Sequence, residues 1–289
     1  MILTTASDET ALISQETIKR AARSVVDSAI NGDFPVDPVI GQDLSRAFST
    51  VNSIVKRHGL LIQHGLGQAL AASGRFDVMH EVPMPITEAA HELLTSENSD
   101  RDLARIQLKS DANVLRMITV DLIVIDNDSH WAGAYDVKRG NGATESRKRR
   151  PIEHDLRAAR LVLASFLEKH GYEDIRKVTT GVIDFYGASG FNKDIKLTRE
   201  QLDDHFGVPV LATVEAMTEE LQKVLHSEMR KLLAPALRNM PRGESEVLGD
   251  NIVAHPVVEA AERKNQNYSV SRALSARPTG PGPWRTRSA

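Results

Sequence analysis

The sequence predicts an α/β protein in which helices flank a central mixed β-sheet. Three observations indicate this class. Residues 119–139 show a hairpin pattern, with two apolar runs rich in β-branched residues joined by the polar turn Asn127-Asp128-Ser129-His130. Residues 178–186 form an almost uninterrupted apolar run, which is typical of a strand buried on both faces. Several amphipathic stretches around these runs have helical spacing.

The composition is that of an ordinary globular protein. The chain has 289 residues, of which 41% are hydrophobic and 26% charged, enough to build a sizeable core. It has no cysteine, which excludes disulfides and thiolate catalysis. It shows neither an apolar run near the ~18 residues that span a bilayer nor a leader, so we expect a cytoplasmic protein without a membrane partner. The net charge of −3 argues against binding nucleic acid over the whole surface, so we expect such contact only at a local basic patch.

Helical patterns precede the sheet. Residues 16–30 have apolar side chains at helical spacing, and residues 41–58 and 60–73 predict two more helices, separated at Gly59. The region before the core is therefore expected to be helical.

Strand patterns extend the sheet beyond the hairpin. Residues 76–86 predict a first strand and residues 208–214 a last strand, followed by a long amphipathic helix over residues 215–237. The end of the chain is rich in Ser, Arg, Pro and Gly, and such a segment buries too little apolar surface to offset its ordering entropy. The predicted organisation is an N-terminal helical extension over 1–58, an α/β core over 59–240 and a flexible basic tail over 241–289.

Two carboxylates and a lysine mark the candidate site. Asp121 and Asp136 each lie in a strand of the hairpin, where a buried strand has no structural need for a charge. Lys138 follows Asp136 at a spacing of two, so both side chains point to the same face of the strand. Carboxylates and a cation that converge at a sheet edge suit a divalent-metal site with an electrophilic partner.

This pattern resembles the PD-(D/E)xK nuclease superfamily, which includes many restriction endonucleases and the archaeal Holliday-junction resolvases. The motif residues are Asp121 and, on the next strand, Asp136-Val137-Lys138; Val120-Asp121 stands at the "PD" element, so its proline is absent. The order of elements over roughly residues 60–210 is also similar. The resemblance implies a restriction-endonuclease-like core.

The resemblance also implies a metal site and roles for these residues. Asp121, Asp136 and the carbonyl of Val137 would hold Mg²⁺, a hard cation that prefers oxygen ligands, and Mn²⁺ is expected to substitute. Lys138 would stabilise the transition state or position the attacking water. In many relatives a glutamate on the helix before the first strand completes the site. Here Gln68 is expected at that place, and Glu81 on the first strand is the other candidate for a third acidic ligand.

Basic residues follow the motif directly, and they predict contacts with DNA phosphates. The structural alternative is a solvated loop. The helix that Pro151 is expected to begin is predicted to add auxiliary polar groups, Arg157 and His154. The residues of the basic stretch are Arg139, Arg147, Lys148, Arg149 and Arg150.

The leading functional hypothesis is a Mg²⁺-dependent DNA endonuclease that hydrolyses phosphodiester bonds in restriction, defence or DNA repair. One alternative is a catalytically inactive DNA-binding or regulatory module on the same fold, favoured by Gln68 in place of a glutamate. Another is an unrelated α/β metal enzyme that uses Asp121 and Asp136. A site-specific cutter of duplex DNA would most simply be a C₂ homodimer, because two active sites must address two strands.

Overall fold

The sheet is mixed and has five strands in the order in which they occur along the chain. A computed structural model describes residues 11–96 and 98–239. The first three strands pair antiparallel, whereas the third pairs parallel with the fourth and the fourth with the fifth. The prediction of an α/β protein with a central mixed sheet is confirmed. The strands are β1 (Asp77–Thr87), β2 (Val114–Asp126), β3 (Trp131–Lys138), β4 (Lys177–Asp184) and β5 (Lys196–Leu197).

Helices cover both faces of the sheet. A short 3₁₀ turn, Arg199–Gln201, precedes the sixth helix, and a capping box formed by Thr198 and Gln201 stabilises its start. The helices are α1 (Gln15–Ile30), α2 (Gly41–Ala72), α3 (Glu88–Thr95), α4 (Asp100–Leu103), α5 (Ser146–Glu168), α6 (Leu202–Phe206) and α7 (Val210–Asn239).

Strand alternation divides the core into two layers. Along β2, Ile123 and Ile125 pack against α5 on one face, whereas Leu122 and Val124 pack on the other face against α2, α6 and the start of α7. All four side chains are fully buried. Because both faces of the strand are covered, it has the continuous apolar run of a doubly buried strand.

A third apolar cluster joins α1 to the body of the protein. Ile18 and Val26 of α1 pack against Ile54 of α2 and against Met217 and Leu221 of α7. The described residues belong to one compact unit. The predicted tail over 241–289 lies outside the described residues.

The predicted break at Gly59 is wrong, because α2 is one helix of 32 residues. A glycine inside a helix costs about 1 kcal/mol relative to alanine, which weakens a helix without ending it. Ile54 and Leu61, on either side of Gly59, are both buried in the cluster with α1 and α7. This packing offsets the cost of the glycine and keeps the helix continuous.

The predicted last strand over 208–214 is also wrong. Helix α7 begins at Val210, and its buried residues Val210, Val214 and Met217 have helical spacing. Packing against α2 overrides the strand preference of the β-branched residues. The last place in the sheet is taken by β5, which has two residues and is too short to give a sequence pattern.

The helix after the motif begins earlier than predicted. Helix α5 begins at Ser146, so Pro151 lies inside it instead of in its first turn. The run from Arg147 to Arg150 is therefore helical and forms the N-terminal turns of α5. In the described part of the chain, no helix is long and apolar enough to cross a membrane.

Candidate active site

A cleft of about 410 Å³ lies between α2 and the C-terminal end of β3. It combines carboxylate, ammonium, guanidinium and amide groups with an apolar wall from α2. The sequence-predicted residues Asp121, Val137, Lys138 and Arg139 all line it. The remaining lining residues are Val55, Lys56, Gly59, Leu60, Gln63 and Asn141.

Asp121 lies where the pairing of β2 with β3 ends. The last paired residues are Leu122 and Tyr135, so the backbone of β3 beyond them needs other partners. Oδ2 of Asp121 accepts a hydrogen bond of 2.7 Å from the N–H of Val137. The carboxylate thereby replaces a strand carbonyl and is held directly beside the Asp-Val-Lys motif.

Asp136 and Lys138 form a close ion pair on one face of β3. Nζ of Lys138 lies 2.7 Å from Oδ1 of Asp136, as the spacing of two predicts. Oδ2 of Asp136 is buried and has no hydrogen-bond partner among the described residues. A buried carboxylate oxygen without a hydrogen-bond donor lowers the stability of the folded protein when no ligand is bound. A cationic ligand would be stabilised at such a place.

The environment of Asp136 favours its protonated form. Burial is the main cause that raises the pKa of Asp136 to about 6; the Lys138 ammonium opposes this rise, and the nearby Asp121 carboxylate contributes to it. Two neighbouring carboxyl groups, one of which has a raised pKa, are typical of metal sites and acid–base sites.

These residues fit a Mg²⁺ ion. Mg²⁺ commonly binds one or two carboxylates and keeps several waters, so Asp121 and Asp136 suffice as protein ligands. Within residues 11–96 and 98–239, no group of three or more His, Cys, Asp or Glu side chains has the arrangement of a metal site. The carbonyl of Val137 stays a predicted third ligand.

Glu81 is close to Asp121 in the sheet, but its side chain is not part of such a group. Its neighbours His80 and Val82 pair with Leu122 and Val120, which puts Glu81 opposite Asp121. Its φ is +48°, in the left-handed region that a non-glycine residue rarely adopts, and its side chain is exposed. Such strain is common near functional sites, and here it coincides with the one position between His80 and Val82 that lacks a paired partner on β2.

The amide of α2 at the site belongs to Gln63, not to Gln68. Nε2 of Gln63 donates a hydrogen bond of 2.9 Å to the backbone carbonyl of Asp121. Gln68 does not line the cleft, and its Oε1 is buried without a partner in the described structure. No local sequence signal separates Gln63 from Gln68, because both lie in the same helical pattern and the packing of α2 decides which one reaches the cleft.

The predicted DNA-binding residues do not converge on one site. Arg139 lines the cleft, whereas the run from Arg147 to Arg150 lies outside it, on α5. Arg157 lines a different cleft, together with Thr179 and Thr180. His154 contacts the ring of His91 and the carboxylate of Asp155, away from the motif.

Comparison with protein-family models, curated proteins and solved structures finds no match for this chain.

Proposed function

We propose that this protein is a cytoplasmic, Mg²⁺-dependent DNA endonuclease with a restriction-endonuclease-like core, acting in restriction, defence or DNA repair. One observation carries the proposal: Asp121 is fixed to the backbone of β3 beside Asp136 and Lys138, in a cleft that Arg139 also lines. Two carboxylates next to two cations suit the hydrolysis of an anionic phosphodiester. The carboxylates would bind the metal ion, and the cations would bind the negative charge of the substrate.

Asp121 and Asp136 would hold the Mg²⁺ ion through oxygen. When bound, the ion supplies Lewis-acid polarisation of a phosphate oxygen and lowers the pKa of water. The buried Oδ2 of Asp136, which lacks a donor, is the acceptor that this role requires.

Lys138 supplies a positive charge where negative charge develops. Its ammonium has three donors, and Asp136 accepts from one of them. The other two N–H donors are accessible to a substrate, because the side chain of Lys138 is 35% exposed. Donation to a non-bridging phosphate oxygen would stabilise the transition state more than the ground state.

The N-terminus of α5 supports an interaction with DNA. Its first turn has no acidic residue; Arg147 and Lys148 are exposed in that turn, and Arg150 is exposed directly after it. Cations at a helix N-terminus oppose the helix dipole, at a cost of about 0.3–1 kcal/mol each. A phosphate backbone would relieve this repulsion and add the affinity that comes from counterion release.

A catalytically inactive DNA-binding module is the second candidate. It is favoured because, in the described part of the chain, no third acidic or histidine side chain joins Asp121 and Asp136. Such a module would keep Arg139 and the basic turns of α5 while lacking cleavage.

The test is incubation of the protein with supercoiled plasmid in Mg²⁺, Mn²⁺ or EDTA. We expect metal-dependent nicking or linearisation that is lost in Asp136→Ala and Lys138→Ala, each at least a hundredfold slower (about 3 kcal/mol in the barrier). Asp128→Ala, in the exposed turn between β2 and β3, is the matched control and should cleave at the rate of the unmodified chain.

The outcomes separate the candidates. Cleavage at an unchanged rate in both site variants would show that the proposed site is wrong. Salt-sensitive DNA binding without cleavage would favour the inactive module. A protein that neither binds nor cleaves DNA would exclude both the nuclease and the inactive DNA-binding module. Sedimentation of the active protein on a cleavable duplex tests the expectation of a C₂ homodimer.

A further inference from the structure

We propose that His58 is a positioning residue, which presents Arg139 to a phosphate of the DNA in the cleft. The inference rests on the proposed function and adds a residue to it that the sequence pattern did not suggest. His58 lies on α2, is buried, and links the arginine that follows the motif to helix α7.

Arg139 is held at one end of its guanidinium. Its Nε donates a hydrogen bond of 3.0 Å to Nδ1 of His58, and its guanidinium carbon lies 5.8 Å from the centre of the Tyr186 ring. Its backbone carbonyl accepts a bond of 3.0 Å from the N–H of Tyr186. In residues 11–96 and 98–239 the terminal nitrogens of Arg139 have no hydrogen-bond partner, so their four N–H donors are free for a ligand.

The bonds around His58 assign the proton on its ring. The Nε of arginine can only donate, so Nδ1 of His58 accepts and the ring proton is on Nε2. Nε2 then donates to Oγ1 of Thr218 at 3.0 Å, and this hydroxyl donates to the carbonyl of Val214 at 2.9 Å. All three donors point the same way, from the cleft toward α7, and each has an acceptor.

A neutral ring holds the arginine without cancelling its charge. Burial, with the adjacent Arg139 charge, lowers the pKa of His58 to about 4, so the ring is uncharged at neutral pH. A carboxylate in the same place would bind the guanidinium more tightly but would also neutralise it and compete with phosphate. Among the described residues Arg139 has no carboxylate partner. Its full charge therefore remains available, in a fixed orientation.

The surrounding structure leaves room for this arrangement. Gly59, next to His58, has no side chain, and a Cβ there would be 3.9 Å from Cβ of Arg139, the closest atom. Both residues line the same cleft as Asp121 and Lys138. The hydrogen bond from Nε of Arg139 to His58 therefore orients the guanidinium before DNA arrives, and less side-chain freedom is lost on binding.

A double-mutant cycle tests the inference on the full chain. Affinity for a short DNA duplex is measured in Ca²⁺ or EDTA, and single-turnover cleavage in Mg²⁺. We expect His58→Leu to weaken affinity about tenfold, and the same substitution to change it less than twofold when Arg139→Ala is already present. His58→Asn, which keeps an acceptor near the position of Nδ1, should recover most of the affinity.

Ile54→Val is the control for packing alone. Ile54 is buried one turn earlier on α2, in the cluster with α7, and has no contact with Arg139 among the hydrogen bonds and ion pairs described. It should lower thermal stability without changing DNA affinity. If His58→Leu gives the same loss with and without Arg139, His58 acts on packing only and the inference is overturned.

Nitrogen-15 NMR of the histidine rings provides a measurement on the unmodified protein, in case His58→Leu does not fold. We expect a protonated Nε2 and an unprotonated Nδ1 at neutral pH; the opposite tautomer would overturn the inference. A protein that neither binds nor cleaves DNA would remove the proposed function and, with it, the role of Arg139. Normal binding and cleavage with an additive cycle would remove only the role of His58.

Discussion

Oδ1 of Asp184 occupies the space that a side chain on Gly140 would need. Gly140 also has a φ of +68°, which side chains disfavour. Asp184 is fully buried, and its Oδ2 accepts hydrogen bonds from the N–H of Ser189 at 3.1 Å and from its hydroxyl at 2.5 Å. The loop that leaves Lys138 is therefore built around a buried carboxylate at the end of β4.

Gly140→Ala should destabilise the protein and displace Arg139. The added methyl group clashes with Asp184 and strains the backbone, so we expect a loss of at least about 2 kcal/mol of unfolding free energy from the two effects together. Cleavage should fall by about tenfold or more. Chemical denaturation and single-turnover kinetics measure the two effects.

Gly142→Ala is the matched control. A Cβ at Gly142 meets no atom within 4 Å, and the residue does not have a positive φ. Stability and cleavage should stay close to those of the unmodified chain. Equal effects at the two glycines would contradict the role of Asp184 in shaping this loop.

The two glutamines of α2 should behave differently. Gln63→Leu leaves the carbonyl of Asp121 without its donor and should cost about 1–3 kcal/mol, with slower cleavage, because Asp121 loses part of its support. Gln68→Leu removes a buried amide whose Oε1 has no partner in the described structure, and should be neutral or stabilising. Denaturation curves of both variants, with cleavage rates, decide between them. Loss of cleavage only in Gln68→Leu would assign the site amide to Gln68 after all.

Asp136 should make the metal-free protein less stable as the pH rises. Its folded pKa is about 6 and its ordinary value is 3.8. Between these values the folded state binds more protons than the unfolded state, so the free energy of unfolding falls as the pH rises through this window. Asp136→Asn should remove this slope and raise stability at pH 8 by about 1–3 kcal/mol. Urea denaturation in EDTA from pH 4 to pH 8 measures it.

Asp128→Asn controls for the loss of a surface carboxylate, because Asp128 is exposed in the turn. It should leave the pH profile unchanged. Addition of Mg²⁺ should stabilise the unmodified chain and not Asp136→Asn, since a ligand that binds only the folded state raises its stability. If Asp136→Asn is less stable than the unmodified chain at pH 8, the ionised Asp136 carboxylate does not destabilise the folded protein, and the prediction is wrong.

The basic turns of α5 should favour DNA affinity at the expense of stability. Replacing Arg147, Lys148 and Arg150 by glutamine should weaken binding for all sequences and reduce the salt slope by about 0.9 for each phosphate that is no longer neutralised. The free protein should become more stable, by about 0.3–1 kcal/mol per charge, because repulsion with the helix dipole is removed. Fluorescence anisotropy over a salt series and thermal unfolding give the two quantities.

Exposed cations on other helices provide the control. Lys19 and Arg20 of α1 and Lys223 of α7, replaced together by glutamine, remove the same charge. The salt slope should then change less than in the α5 variant. If the two triple variants lose affinity equally, only net charge matters, and the run on α5 is a solvated surface.

Local patterns were sufficient to predict the strands that carry the motif. The turn at Asn127-Asp128-Ser129-His130 and the alternation around it define the hairpin, and the spacing of two places Asp136 beside Lys138. These features depend on neighbours along the chain.

Residues brought in by tertiary packing were not predictable. His58 is 81 residues from Arg139 and 160 from Thr218, and no local signal links them. Gln63 and Gln68 differ by five positions, about 140° around a helix, and only the packing of α2 decides which one faces the sheet. The helical start of α7 at Val210 has the same origin, because its β-branched residues favour a strand until the neighbouring helix is considered.

Helix α2 has a consequence for how this protein can be divided. About 48 Å of unbroken helix carries the apolar residues that hold α1 and, in the same turns but on another face, the residues that form one wall of the cleft. The predicted boundary between residues 58 and 59 falls inside this rod. A chain shortened to begin at Gly59 would lose His58 and Lys56 and would start with a frayed helix end at the candidate cleft. The N-terminal region is therefore not a removable attachment, because the helix that lines the candidate cleft is continuous with it.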